Sequence, residues 1–143
     1  MNQRALRRCI AFASAAAAAV TLLLASSPTA GAAEPGIRKP RMTVVCSQPH
    51  HNGRFAAVRY TQRGLWAAGA QVTVTITKLH SERPRARVVT TTGPAGWFHI
   101  NRVLVRKHTS RWRAGTRYAW TTVLSTDSAA TARRGTVLLR GSC

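Results

Sequence analysis

Acidic residues are almost missing from this sequence. Its 143 residues hold Asp+Glu 3 against Lys+Arg 22, a formal net charge of +19. Glu34, Glu82 and Asp127 stand far apart, so no pair of carboxylates presents itself for acid–base or glycosidic chemistry. Histidines and cysteines show no metal-ligand spacing. His50, His51, His80, His99 and His108 form no H-E-x-x-H motif, and neighbours such as His50 and His51 point opposite ways on an extended chain. No G-x-S-x-G elbow marks a nucleophile, and nothing marks a triad of Asp127 with a histidine and a serine. Helical periodicity is absent beyond the first thirty or so residues, which disfavours a helical bundle. The expectation is a non-catalytic protein with no metal and no cofactor.

The N-terminus reads as a targeting signal. Arg4, Arg7 and Arg8 form a basic start, an Ala/Leu/Val-rich run extends from Cys9 to Ala25, and small residues follow at Ala30, Gly31, Ala32 and Ala33. A membrane anchor is the alternative, since the run is marginally long enough to span, but half of it is alanine. The pair Arg7-Arg8 also leaves a twin-arginine route open. The expected organisation is a signal peptide over 1–33, a flexible basic arm over 34–41 and one domain over 42–143. Removing the leader takes the formal charge from +19 to +16, and self-repulsion of that size calls for other support.

Two cysteines remain to supply it. Cys46 and Cys143 form an even pair in an exported chain, and a bond between them would close nearly the whole domain. Chain-entropy arguments put such a link at about 4–5 kcal/mol.

The strand pattern is clearest in GLWAAGAQVTVTITKL, 64–79. There Val72, Val74 and Ile76 alternate with Gln71, Thr73, Thr75 and Thr77, the period of a strand with one buried face. Further strands are expected at 42–47, 55–61, 85–92, 97–105, 116–125 and 136–141, separated by turns rich in Gly, Pro and Asn. Seven short strands at this spacing favour an antiparallel β-sandwich over a barrel.

Two stretches resemble known families. W-R-A-G-T-R-Y, 112–118, is similar to the L-x-P-G-T-x-Y corner of fibronectin type III and related immunoglobulin-like domains, with Trp112 in place of leucine and Ala114 in place of proline. The resemblance implies that the Tyr118 hydroxyl bonds back to the backbone. Residues 64–76 also resemble the start of immunoglobulin-like repeats in secreted actinobacterial proteins. Together they imply an all-β, seven-stranded antiparallel immunoglobulin-like sandwich and carry no catalytic residues.

The basic residues are the candidate site. Arg83, Arg85 and Arg87 share strand parity, which predicts one solvated face. Arg102, Arg106, Lys107, Arg111 and Arg113 crowd the next long connection, with Trp112 among them. Arg38, Lys39 and Arg41 arm the N-terminus, and Arg133-Arg134 precede the last strand. Arginine forks match phosphates and carboxylates, and an interleaved Trp can stack on a ring. Coding bias toward Arg over Lys is the plain alternative, yet it leaves the shortage of acids unexplained. The expected function is a secreted or envelope-held domain gripping an anionic envelope polymer, lipid headgroups or extracellular nucleic acid, without base-specific readout. The alternatives are a protein-interaction module, an inhibitor or envelope assembly factor with Trp66 or Trp112 as exposed anchor, and a passive structural domain.

Overall fold

A computed structural model describes residues 35–107 and 111–143; the expected leader, Glu34 and His108 lie outside them. The described residues form strands and no helix. The long strands are β1 (Arg41–Val44), β4 (Ala57–Leu65), β5 (Gln71–Lys78), β6 (Pro84–Thr91), β7 (Trp97–Val105), β9 (Arg117–Ser125) and β10 (Ala130–Arg140). Three two-residue strands, β2 (His50–His51), β3 (Arg54–Phe55) and β8 (Trp112–Arg113), form a small separate sheet.

The seven long strands make one sheet in the order β6-β5-β9-β10-β1-β4-β7. It curls so that its edges β6 and β7 approach each other, giving a sandwich-like body that nearly closes as a barrel. The antiparallel sandwich expected from the sequence is corrected here. β1 and β10 run parallel, pairing Met42 with Leu139 and Thr43 with Arg140, so the sheet is mixed and continuous. Turn signals report local reversals only, and this seam joins strands from the two ends of the chain. Cys46 and Cys143 are disulfide-bonded just beyond it, across a sequence separation of 97.

Period-2 patterning places the core. Val72, Val74 and Ile76 on β5 are fully buried, as are Val58 and Tyr60 on β4 and Leu124 on β9. They pack into one cluster with Met42, Phe98, Ile100, Trp112, Tyr118, Trp120, Val137 and Leu139. One polar knot sits inside. The Gln62 Oε1 accepts from the Tyr60 hydroxyl at 2.9 Å and from the Thr122 hydroxyl at 2.9 Å, while Gln62 Nε2 donates to the Arg38 carbonyl at 3.1 Å. Each of these buried groups finds its partner here, so the knot ties β4, β9 and the N-terminal segment together.

Several boundaries differ from those expected. The 34–41 segment is not a free arm over its described part. Ile37 is 1% exposed, and Gly36 and Arg38 donate to the carbonyls of Leu65 and Arg63, extending β1 along β4. One apolar residue amid Pro, Gly and Arg leaves no period to read. β4 runs on to Leu65, past the expected end at 61, and the Phe98 ring covers Gly64. A Cβ there would stand 2.3 Å from Phe98 Cε1. β10 begins at Ala130 instead of 136, since its first half buries little, though it pairs with β9 from Ala130–Ser125 onward. β2, β3 and β8 are too short to leave a pattern.

Replacing Gln62 with Ala strands the Tyr60 and Thr122 hydroxyls and is expected to cost about 3 kcal/mol in urea denaturation. Reducing the Cys46–Cys143 bond should lower stability by about 4–5 kcal/mol, read as a shift of the same transition. Burial holds the Tyr60 hydroxyl above its ordinary pKa of 10.0, with a bond from Thr122 opposing. A raised pKa contributes stability that is complete below the unfolded value and lost as pH climbs toward the folded one. Unfolding free energy should therefore fall above about pH 10, and Tyr60→Phe should flatten that fall.

Candidate functional site

The arginines singled out in the sequence separate into distinct places. A β-bulge between Ile76 and Thr77 shifts the register around Arg85, setting Ala86 opposite Ile76 and Pro84 opposite Thr77. The bulge breaks the parity that was to align Arg83, Arg85 and Arg87. Arg83 and Arg87 are exposed, while Arg85 is half-buried and donates to the Arg111 carbonyl at 3.2 Å. Arg106 in turn donates to the Arg85 carbonyl. Burial, then the charge of Arg85, lowers the Arg106 pKa. These contacts clasp β6 to the connection after β7, so Arg85, Arg106 and Arg111 are partly committed to holding the fold.

Arg113 instead joins the small sheet. It pairs with Arg54, which pairs with His51, and these residues line a shallow depression with Asn52. His50 stacks on Phe55 at 5.5 Å. Arg102 is exposed on the edge strand β7, opposite Tyr60, and Lys107 is exposed just after that strand. The candidate residues thus do not form one patch.

The tryptophans are redistributed as well. Trp112 is wholly buried, donates from Nε1 to the Leu104 carbonyl at 3.2 Å, and meets the Tyr118 ring edge-on at 5.2 Å. It is core and cannot be an exposed anchor. Trp66 is half-buried against the core, its loop pinned by the Thr92 side chain through bonds to Ala67 and Ala70. The Tyr118 hydroxyl accepts from the Arg113 amide at 2.9 Å. The exposed tryptophan is Trp97, at 57%.

The strongest basic face was not recognised in the sequence. On β4 the outward residues are Arg59, Thr61, Arg63 and Leu65; on β7 they are Trp97, His99, Asn101, Val103 and Val105. The register sets Arg41 opposite Thr61 and Asn101, Thr43 opposite Arg59 and Val103, Arg63 opposite His99, and Leu65 opposite Trp97. Arg59 Nη1 donates to Asn101 Oδ1 at 3.3 Å. The signal was present as the alternate parity of 59–65 and 97–105, hidden because attention to the apolar positions follows only the inner face.

Among the described residues, no aspartate or glutamate lies on this face. Glu82 lies in the β5–β6 connection and Asp127 in the β9–β10 connection, at opposite ends of β5, about 23 Å apart along the strand. These two acids therefore cannot act as a pair. Among the described residues, no three His, Cys, Asp or Glu side chains gather where they could hold a metal ion.

No family model matches the chain, and no curated protein matches it either.

Trp112→Ala is expected to cost about 3–5 kcal/mol, as for a buried aromatic. Trp97→Ala should change stability by about 0.5 kcal/mol or less. Thermal denaturation of the two variants checks the assignment of one to the core and the other to the surface.

Proposed function

We propose that the chain is a secreted, non-catalytic immunoglobulin-like domain that holds an anionic partner through arginine on the outer face of β1, β4 and β7. What carries the reading is the concentration of Arg41, Arg59 and Arg63 on a face that holds no acid among the described residues. Unpaired guanidinium groups on one side of a sheet repel one another, and a bound polyanion relieves that repulsion while releasing its own counterions. Arg83, Arg87 and Arg113 are exposed elsewhere and would add to long-range attraction. The immunoglobulin-like reading is supported by the Tyr118 bond to the backbone five residues earlier and by the placing of the first strand beside the last. Export is supported by the basic-then-apolar start of the chain and by the disulfide, which persists in oxidising compartments.

A protein partner is the second reading. Leu65, Trp97, Val103 and Val105, all more than a third exposed, share this face with the arginines. Aromatic and arginine residues together are typical of interface centres.

Salt separates the two. Polyanion binding that neutralises about six phosphates should weaken about a thousandfold between 50 and 200 mM salt, and about three phosphates some fortyfold, measured by anisotropy with a polyphosphate probe. Binding that ignores salt would retire the first reading.

A further inference from the structure

Three depressions lie end to end along the N-terminal segment. The first, about 690 Å³, runs from Arg117 and Arg140 to Arg41. The second, about 470 Å³, is bounded by Arg41, Arg63, His99 and Asn101. The third, about 520 Å³, carries Arg38 and Arg133 to Leu65 and Trp97. The first and second share Lys39 and Arg41, and the second and third share Arg38 and Lys39. The three depressions thus border the same segment and form a trough lined by cations, with an exposed indole beside the third.

Arginine is also staggered across β1 and β4 at and beside the trough. Arg41 faces Thr61, so Arg59 and Arg63 are its diagonal neighbours at about 7–8 Å. Cations staggered along adjoining strands suit successive anions on a linear chain better than one compact ligand.

A bilayer and a duplex fit this surface less well than a flexible strand does. A bilayer is flat, whereas strands twist relative to their neighbours by roughly 20–25°. The exposed apolar residues sit at the two ends of β7, Trp97 beside Leu65 at one and Val103 with Val105 at the other, and the cations lie between. A twisted face of that layout offers a membrane no single apolar edge to insert. A duplex keeps its bases stacked and has none to lay on Trp97. A flexible single strand follows the twist and can place a ring on the indole.

We propose that this trough binds one extended single strand of nucleic acid, its phosphates on Arg41, Arg63 and their neighbours and a base stacked on Trp97. The proposal rests on the polyanion reading and adds the class of ligand. Contact is sequence-tolerant, since every base has a stacking face.

The test uses the full domain with its disulfide intact and an anisotropy assay on a labelled oligodeoxythymidylate of about 12 nucleotides. An abasic strand of equal length, a duplex, polyphosphate and phosphatidylglycerol vesicles serve as competitors. The expected result is preference for the thymidylate strand over the abasic strand and the duplex. Trp97→Ala should weaken thymidylate binding about tenfold and leave abasic-strand binding unchanged, with Trp97→Phe restoring most of the loss. The Arg41→Glu, Arg63→Glu double variant should weaken both strands and reduce the salt slope. Melting temperatures close to the parent for these exposed positions keep the comparison valid. Equal binding of abasic and thymidylate strands, indifference to Trp97, or tighter binding to the duplex or vesicles would overturn the proposal. Salt-sensitive binding of polyphosphate would then leave the broader polyanion reading standing, and that reading falls only if polyphosphate also fails to bind in a salt-sensitive way.

Discussion

The seam between β1 and β10 is the contact on which both the fold and its basic face depend. Two antiparallel groups, β7-β4-β1 and β6-β5-β9-β10, become one curled sheet only because Met42 pairs with Leu139 and Thr43 with Arg140. A four-residue strand makes few ladder bonds, and the cationic chain repels itself across this boundary. Arg41 and Arg140 both lie along it. The Cys46–Cys143 link stands at its end and offsets that weakness by restricting the unfolded chain. Close packing adds to the constraint: a Cβ at Gly141, which has a φ of 110°, would stand 2.8 Å from a Val44 methyl.

With few carboxylates available, the arginines find other acceptors. Arg85 bonds the Arg111 carbonyl, Arg106 the Arg85 carbonyl, and Arg133 the Ile37 carbonyl. Each of these bonds joins segments that the sheet ladders leave apart. Backbone oxygens thus do the cross-bracing that acidic side chains perform in a balanced protein. The arrangement divides the cations by task. Those reaching a carbonyl brace the body, while Arg41 and Arg63 on the outer face of β1 and β4 stay exposed to an outside anion.

The Gln62 knot links this outer face to the interior. Arg38 and Lys39 line the trough because the Arg38 carbonyl is held by Gln62 and the Arg38 amide by the Arg63 carbonyl. Gln62 in turn is anchored to Thr122 on the opposite layer. A segment rich in Pro, Gly and Arg is therefore laid down in a defined path by buried polar bonds, and its charges become part of a shaped surface.

Much was legible in the residues alone. The alternation at Val72, Val74 and Ile76, the strands over 97–105 and 116–125, and the pairing of Cys46 with Cys143 followed from side-chain period and cysteine number. The all-β character and the excess of positive charge are determined in the same way, because both are properties of local pattern and composition. What the chain does with its ends was not legible. The parallel seam, the docking of Ile37, the bulge that diverts Arg85, and the burial of Trp112 alongside the exposure of Trp97 are contacts between segments distant in sequence. No local period encodes them. They were decided only when the core closed, since that step chooses which face of each strand, and which arginines, remain in water.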